Sequence, residues 1–410
     1  MVKIPLGTSS LSLSFPTCTI QTAIPDGGDA IDVEAEMRDA LRNPHGTPLH
    51  ELVDGDEHVA IVVTDVTRKT PDDVLVSGLM DELVRGGISR EQVTIVIGLG
   101  LHRPMTAAEI EEGLGEYADL AINHDPDLTK TVGSVEDCPI EIFEPVAEAD
   151  LVCSTGMVEP HQYAGFSGGA KTAVIGAGGE SQIRFSHGPS MLAREGVRLG
   201  RIDNNPFRSF LDRAGDQLGL GFCLNVTHGP AGITGVSAGE PRRVVQELAT
   251  TAREALSVEI GGQYDAVIAG VAAPKDANLY QASRGATYIV LGAHNPLRAN
   301  GRVVVPARLQ EGAGEGRGEQ RFYEQLSAAE SATSLYETLR SGYEPGTQRA
   351  FVLARTLRDH EVWVTNSEYP ELVEDCLMHA GPSVEAAIEP GSDILVVPDA
   401  LNTLLVEGKT

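Results

Sequence analysis

The stretch GMVEPHQYAGFSGGAKTAVIGAGGESQIRFSH, residues 156–187, constrains this chain more than any other. Glycine at such density marks backbone that turns with positive φ or lets a ligand come close. Two histidines and a lysine sit inside it. His161, Lys171 and His187 are spaced by ten and sixteen residues, so no single helix face holds all three and only a folded loop brings them together. The stretch reads as a binding site for something bulky, with side chains that carry its chemistry. Lysine is scarce elsewhere: six of the 31 basic residues are lysines, which makes Lys171 hard to treat as incidental surface.

The flanking sequence predicts an α/β fold. HVAIVVTD (58–65) and QVTIVIGLG (92–100) are continuous apolar runs, the pattern of strands buried on both faces of a parallel sheet. Between them DDVLVSGLMDELVRGG (72–87) reads as an amphipathic helix with an aspartate start and a glycine stop. A helix over 31–44 precedes them, and a helix from about residue 107 follows. IEIFEPV (140–146) and ADLVCSTG (149–156) supply further strands, then a helix over 205–219, a strand over 221–228 and a helix near 241–257. A second series starts at YDAVIAG (264–270) and includes the apolar runs 288–293 and 301–306, a glycine-acid loop at 311–316, a helix at 350–357 and strands at 361–366 and 393–398. Repeated strand–loop–helix units imply mostly parallel sheets with right-handed crossovers. The expected organisation is two α/β domains, residues 1–265 carrying the glycine loop and 266–410 closing over it, with an active-site cleft between them.

A length of 410 residues suits two or three domains with real cores. The net charge of −28 disfavours nucleic acid and anionic membrane surfaces as partners. Such acidity suits a salt-rich interior, and a genome that favours arginine over lysine accounts for it equally well. No apolar run approaches the ~20 residues of a membrane span, and the N-terminus lacks a secretory h-region. Five scattered cysteines with no CxxC pair argue against a disulfide framework or a zinc site and fit a reducing cytoplasm.

Ligands of open α/β sheets bind beyond the carboxyl ends of the strands. Four loops at such ends carry reactive residues. Arg68, after the first strand, suits a carboxylate or phosphate gripped by two parallel hydrogen bonds, or a structural ion pair. Asp65 either orients it or caps the turn. His102 follows the second strand, and His161 and His187 flank the glycine loop. Three histidines in such loops suit proton transfer near neutral pH or a metal. Gln281 and Arg284 sit three apart on a helix turn that Asp276 or Asn278 would cap. GFSGGAKT fits the phosphate-loop pattern GxxxxGK[ST] poorly, because Ala170 stands where the second glycine belongs and no apolar strand leads directly into it. Phosphate contact through loop amides, Gly168 and Gly169 among them, stays open.

With these loops laid out, the chain resembles the nickel-pincer lactate racemase family of 2-hydroxy-acid racemases and epimerases. The matching segments are DVTRKTP (65–71), GLHRP (100–104), EPHQYAGFSGGAK (159–171), RFSH (184–187), NNPFR (204–208) and PKDANLYQASRG (274–285), in the family's order. The resemblance implies that Lys171 tethers a pyridinium-3,5-bisthiocarboxylic acid mononucleotide whose sulfur–carbon–sulfur pincer holds nickel, within the loop of Gly168 and Gly169. It implies His187 as the protein ligand of nickel, and His102 and His161 as acid/base catalysts on opposite sides of the substrate. Arg68 would hold the substrate carboxylate, with Asp65 in support and Gln281 and Arg284 as further substrate contacts. Cofactor maturation enzymes are implied partners, and a small 2-hydroxy acid the substrate.

The chemistry implied is coherent. Removing the α-proton of a 2-hydroxy acid gives a poorly stabilised carbanion, whereas loss of hydride to a pyridinium gives a stable 2-oxo acid if a base takes the hydroxyl proton. Lys69 stands where the family has proline, Ser186 where asparagine is common, and Arg284 where lactate-specific members carry lysine. The last leaves the acid open: lactate, another short or aromatic 2-hydroxy acid, malate or a sugar acid. The alternative from another class is a solute- or nucleotide-binding protein whose cleft closes on an acid without redox chemistry.

Overall fold

The structure is a computed structural model that describes residues 2–100, 102–344 and 346–408. Leu101 of the GLHRP segment lies outside the described residues. The chain forms two compact units, each of mixed α/β architecture with a mostly parallel sheet. One comprises residues 27–186 and 194–255, the other residues 1–26, 187–193 and 256–410. The first 26 residues, which sequence grouping assigned to the N-terminal domain, pack with the C-terminal part because Thr19–Thr22 is an edge strand of its sheet.

The sheet of the first unit has six strands in the order Gly232–Gly239, Leu220–Gly229, Leu151–Met157, Val59–Thr64, Val93–Gly98 and Ala121–Asn123. All neighbours are parallel except the hairpin of the first two. Val59, Ala60, Ile61 and Val62 are fully buried, as their unbroken apolar run requires, and the helix Asp72–Arg85 covers the sheet with Leu75, Val76, Leu79 and Leu83. From Val59–Thr64 the chain steps outward to Val93–Gly98 and then Ala121–Asn123. It next returns to the opposite side, at Leu151–Met157. The order of strands therefore reverses beside Val59–Thr64, and loops leaving the carboxyl ends of Val59–Thr64 and Leu151–Met157 diverge there. Such a crevice is where open α/β sheets bind ligands.

IEIFEPV departs from the parallel series. Its strand, Cys138–Phe143, pairs antiparallel with Thr129–Val135 and stays out of the main sheet. Glu136 and Asp137, with φ of 50° and 63°, make the tight primed turn that joins them.

The second unit has a six-stranded sheet in the order His379–Gly381, Glu361–Thr365, Leu297–Pro306, Tyr264–Ala269, Asp393–Val397 and Thr19–Thr22, with every pair parallel. The apolar run 288–293 is the end of a helix, Arg284–Val290, and its turn. Among the described residues no helix is long and apolar enough to cross a membrane.

One buried histidine of the first unit ties stability to pH. His124, 3% exposed, stands edge-on to Phe143, and burial pushes its pKa down to about 4, with Asp125 opposing the shift. The folded protein thus keeps it neutral where the unfolded chain takes up a proton, at about 6.5. Its contribution is complete above that value and is lost as pH falls from 6.5 towards 4, on the order of 3 kcal/mol in all. Urea denaturation of the protein and of His124→Leu across this window should show the variant with the shallower acid slope; equal slopes would discount the ring.

Candidate active site

The loop after Val59–Thr64 begins with Asp65, which is 7% exposed. Its Oδ1 accepts from the Thr67 amide at 3.1 Å and from the Thr67 hydroxyl, so it caps the turn. Its Oδ2 lies 2.5 Å from Nδ1 of His102. Burial works to raise the Asp65 pKa, but hydrogen bonds from His102 and Thr67 outweigh it and hold the carboxyl below its ordinary range. The sequence offered Arg68 or the turn as the partner of Asp65; the turn is one partner and His102 the other.

Arg68 turns to a carboxylate that sequence reasoning did not single out. Its Nη1 forms an ion pair with Oε1 of Glu159, and Oε2 of Glu159 lies 3.6 Å from Nε2 of His228. Glu159 precedes Pro160 and His161 directly, so its place in the matched segment was the available signal. Behind this loop Asp72 is buried at the start of its helix and accepts from the hydroxyls of Thr155 at 2.5 Å and Thr64 at 2.9 Å. Burial pushes its pKa up to about 7. It pins together the carboxyl ends of the two strands that flank the crevice.

The glycine stretch folds as a small hairpin, Pro160–His161 against Gly165–Phe166, followed by a tight turn into a single π-turn, Thr172–Gly176. Gly168 and Gly169 have φ of +76° and +58°. A Cβ on Gly168 would lie 2.6 Å from Val158 and one on Gly169 2.6 Å from Val245, so neither position admits a side chain. Side chains from two later elements clamp this turn. Asn225 Oδ1 accepts from the Gly169 amide at 2.8 Å. Asn205 caps the helix Pro206–Leu218 and donates to the carbonyls of Tyr163 and Arg201, each at 2.8 Å. Arg208, fully buried on that helix, donates to the carbonyls of Phe166, Ser167 and Gly168 and pairs with Asp212 at 3.5 Å. A buried polar residue inside the apolar strand 221–228 was the sequence signal for Asn225; nothing singled out Arg208 beyond its place in NNPFR.

Lys171 leaves this clamped turn. Burial, together with the nearby guanidiniums of Arg68 and Arg208, pushes its pKa down to about 7, against the opposing pull of Glu159 and Asp65. At neutral pH about half of the amine is therefore uncharged. The π-turn after it meets the His102 loop backbone to backbone: Gly100 donates to the Gly176 carbonyl at 2.8 Å, and a Cβ on Gly176 would lie 3.0 Å from Gly98. Asp65, His102, Arg68 and Lys171 are thus gathered at one strand-end crevice. His161, in the hairpin, accepts at Nδ1 from the amides of Ala164 at 3.1 Å and Tyr163 at 3.3 Å, and its ring contacts those of Tyr163 and Phe207.

His187 ends the helix Glu180–His187 and belongs to the second unit, as do Gln281 and Arg284. There Asn278, not Asp276, caps the helix by accepting from the Gln281 amide at 2.9 Å. Arg284 donates to Gln281 Oε1 at 3.2 Å and to the Tyr288 hydroxyl at 3.0 Å. Among the described residues no group of three or more His, Cys, Asp or Glu side chains is arranged to hold a metal ion.

Two sequence models span this arrangement: the lactate racemase N-terminal domain matches residues 6–200 and the lactate racemase C-terminal domain residues 263–409. The chain belongs to the lactate racemase family. It is 28% identical to the lactate racemase of Thermoanaerobacterium thermosaccharolyticum over 99% of both chains, and 27% identical to that of Lactiplantibacillus plantarum over 89% of both. The structure of the lactate racemase apoprotein from the former organism superposes with a TM-score of 0.88 at 26% identity, covering 99% of this chain and all of that one. A Thermotoga maritima protein shares the fold, with a TM-score of 0.70 at 16% identity over 93% of this chain. As a lactate racemase family member the protein is an isomerase of the racemase class, and the α/β architecture expected of the sequence is the family's own.

Arg208 gives the family fold here a measurable dependence. Replacing it by methionine leaves three loop carbonyls and Asp212 without their buried donor and is expected to cost on the order of 3 kcal/mol. Denaturant midpoints measure the loss, and amide exchange at Gly168 and Gly169 should quicken with it; an unchanged midpoint would mean the clamp is redundant.

Proposed function

We propose that the protein racemises lactate, or a close 2-hydroxy acid, through a nickel-pincer nucleotide carried on Lys171. Lys171 is the observation that carries this reading. Its amine has a pKa lowered to about 7, in a turn fixed by Gly168 and Gly169, so a sizeable share is neutral near pH 7, and a neutral amine forms a covalent tether that an ammonium cannot. The residues present fit such a group in this respect, and His187 would be the donor to nickel. When bound, the group supplies a pyridinium ring that takes hydride from C2 and returns it.

The rest falls to the chain's own side chains. Arg68 grips the substrate carboxylate with its forked donors, which the ion pair with Glu159 keeps oriented in the meantime. His102, its Nδ1 held by Asp65, presents Nε2 to the hydroxyl proton. His161 would be the second acid/base, on the opposite side of the substrate. Gln281 and Arg284 would contact the remainder of the acid. The reading also requires maturation enzymes beside the protein in the cytoplasm.

The test is intact mass and nickel content of protein made together with the maturation enzymes, followed by optical rotation of single-enantiomer lactate. A mononucleotide-sized adduct at Lys171, about one nickel per chain and decay of rotation are expected. Unmodified Lys171 under competent maturation would overturn the cofactor reading, and an acid that binds but keeps its handedness would make the chain a binding protein.

A further inference from the structure

Arg68, the residue assigned to the substrate carboxylate, already carries a carboxylate from the chain itself. Its Nη1 pairs with Oε1 of Glu159, and the two side chains are 32% and 21% exposed, so water reaches both. Both residues stand on fixed backbone. The Arg68 amide donates to the Asp65 carbonyl at 3.0 Å, which closes the turn after Val59–Thr64. The Glu159 amide donates to the Ser167 hydroxyl at 3.0 Å, and the Glu159 carbonyl accepts from the Ser167 amide at 2.9 Å. Before it, the Val158 amide donates to the Val226 carbonyl at 2.7 Å, and the Val158 carbonyl accepts from the Thr227 hydroxyl at 2.6 Å. After it, Pro160 has its φ set by its ring. Any motion that separates the pair therefore falls to side-chain torsions.

We infer that Glu159 is a resident stand-in for the substrate carboxylate: it occupies Arg68 until an acid displaces it, and so sets the KM. The inference rests on the reading that Arg68 receives the acid, and adds what the acid competes with. A carboxylate gripped by two parallel hydrogen bonds takes two N–H groups along one edge of the guanidinium, and the Glu159 oxygen already lies on Nη1. Two carboxylates on one guanidinium would set two negative charges against one positive. Asp65, held ionised three residues earlier, makes that balance worse. The same bookkeeping explains why a carboxylate stands there at all. Arg68 repels charge on Lys171, and Glu159 offsets that repulsion. With the acid on Arg68, the acid's own carboxylate takes over the offset.

The competition weakens binding of the bound acid and of the reacting acid alike, because the carboxylate stays on Arg68 throughout. Removing it lowers KM and leaves kcat in place. Both hands of the acid carry the same carboxylate and have equal free energy, so kcat/KM must change by one factor for both.

Glu159→Gln keeps the volume and an accepting oxygen and removes the charge. In cofactor-loaded enzyme its KM for lactate should fall about tenfold with kcat within about twofold of wild type, the scale of one charged hydrogen bond no longer in competition. Damage to the fold would raise KM or lower kcat, so it does not imitate this result. Calorimetry of lactate on the apoprotein needs no cofactor and should show the same tenfold gain in affinity. Asp65→Asn removes a charge from the same crevice without vacating Arg68, and should gain less than about threefold in that titration. A KM that is unchanged or higher in Glu159→Gln, or equal gains in the two variants, would overturn the inference. Loaded wild type that leaves lactate optically unchanged while the calorimetric gain holds would instead overturn the functional reading and leave the stand-in standing.

Discussion

Lys171→Met is expected to carry no covalent nucleotide and to lose racemisation by about 10⁶-fold or more, the lower range of what enzymes achieve over the uncatalysed reaction. The fold should survive, because the amine already sits where burial and two guanidiniums disfavour its charge, and methionine fills a similar volume. Loading of the wild-type apoprotein adds a pH signature. With the pKa at about 7, half the amine is neutral at that pH, so the attachment rate should level off above about pH 7.5. An ordinary lysine would still be gaining rate three units higher, near 10.5. Mass spectrometry after timed loading reads both effects. An adduct that persists in Lys171→Met, or a loading rate that climbs steadily to pH 10, would remove Lys171 from its assigned place.

Asp65→Asn should be nearly as damaging by another route. The carboxamide can offer Nδ1 of His102 an N–H where the carboxylate offered only lone pairs. The ring then moves its proton to Nε2 and has nothing with which to take the hydroxyl proton. We expect kcat to fall about 10²–10⁴-fold with KM little changed, since Arg68 and its Glu159 partner are untouched. Steady-state kinetics on loaded enzyme measure the split. A matched rise in KM with kcat preserved would make Asp65 a substrate-binding group rather than the orienter of His102.

The strands and helices that position this site were largely legible in the sequence. Val59–Thr64 and Val93–Gly98 are buried on both faces, so their apolar runs have no competing reading. The helix Asp72–Arg85 has one covered face and a glycine end. Cys138–Phe143 was placed in the wrong pattern because a short, mostly apolar strand does not reveal a partner's direction, which its primed turn decides. Within the site, residues that face a cavity or a loop backbone differ in visibility. Arg68, His102 and Lys171 stand out by chemistry at strand ends. Glu159 and Arg208 act by pairing with groups distant in the chain, and no local pattern announces a partner 91 residues away from Arg68. Asp65 was legible as a residue and not as a bond, since its partner could be named only once the loops were in place.

The chain passes between its two compact units repeatedly, and Thr19 finds its strand partner only at Asp393. On a ribosome adding roughly 5–20 residues per second, the N-terminal edge strand therefore waits about 20–75 s with its ladder groups unpaired. The first unit, by contrast, has all its strands in hand once residue 239 has emerged. The crevice with His102 and Lys171 can thus form while the rest of the chain is still being made.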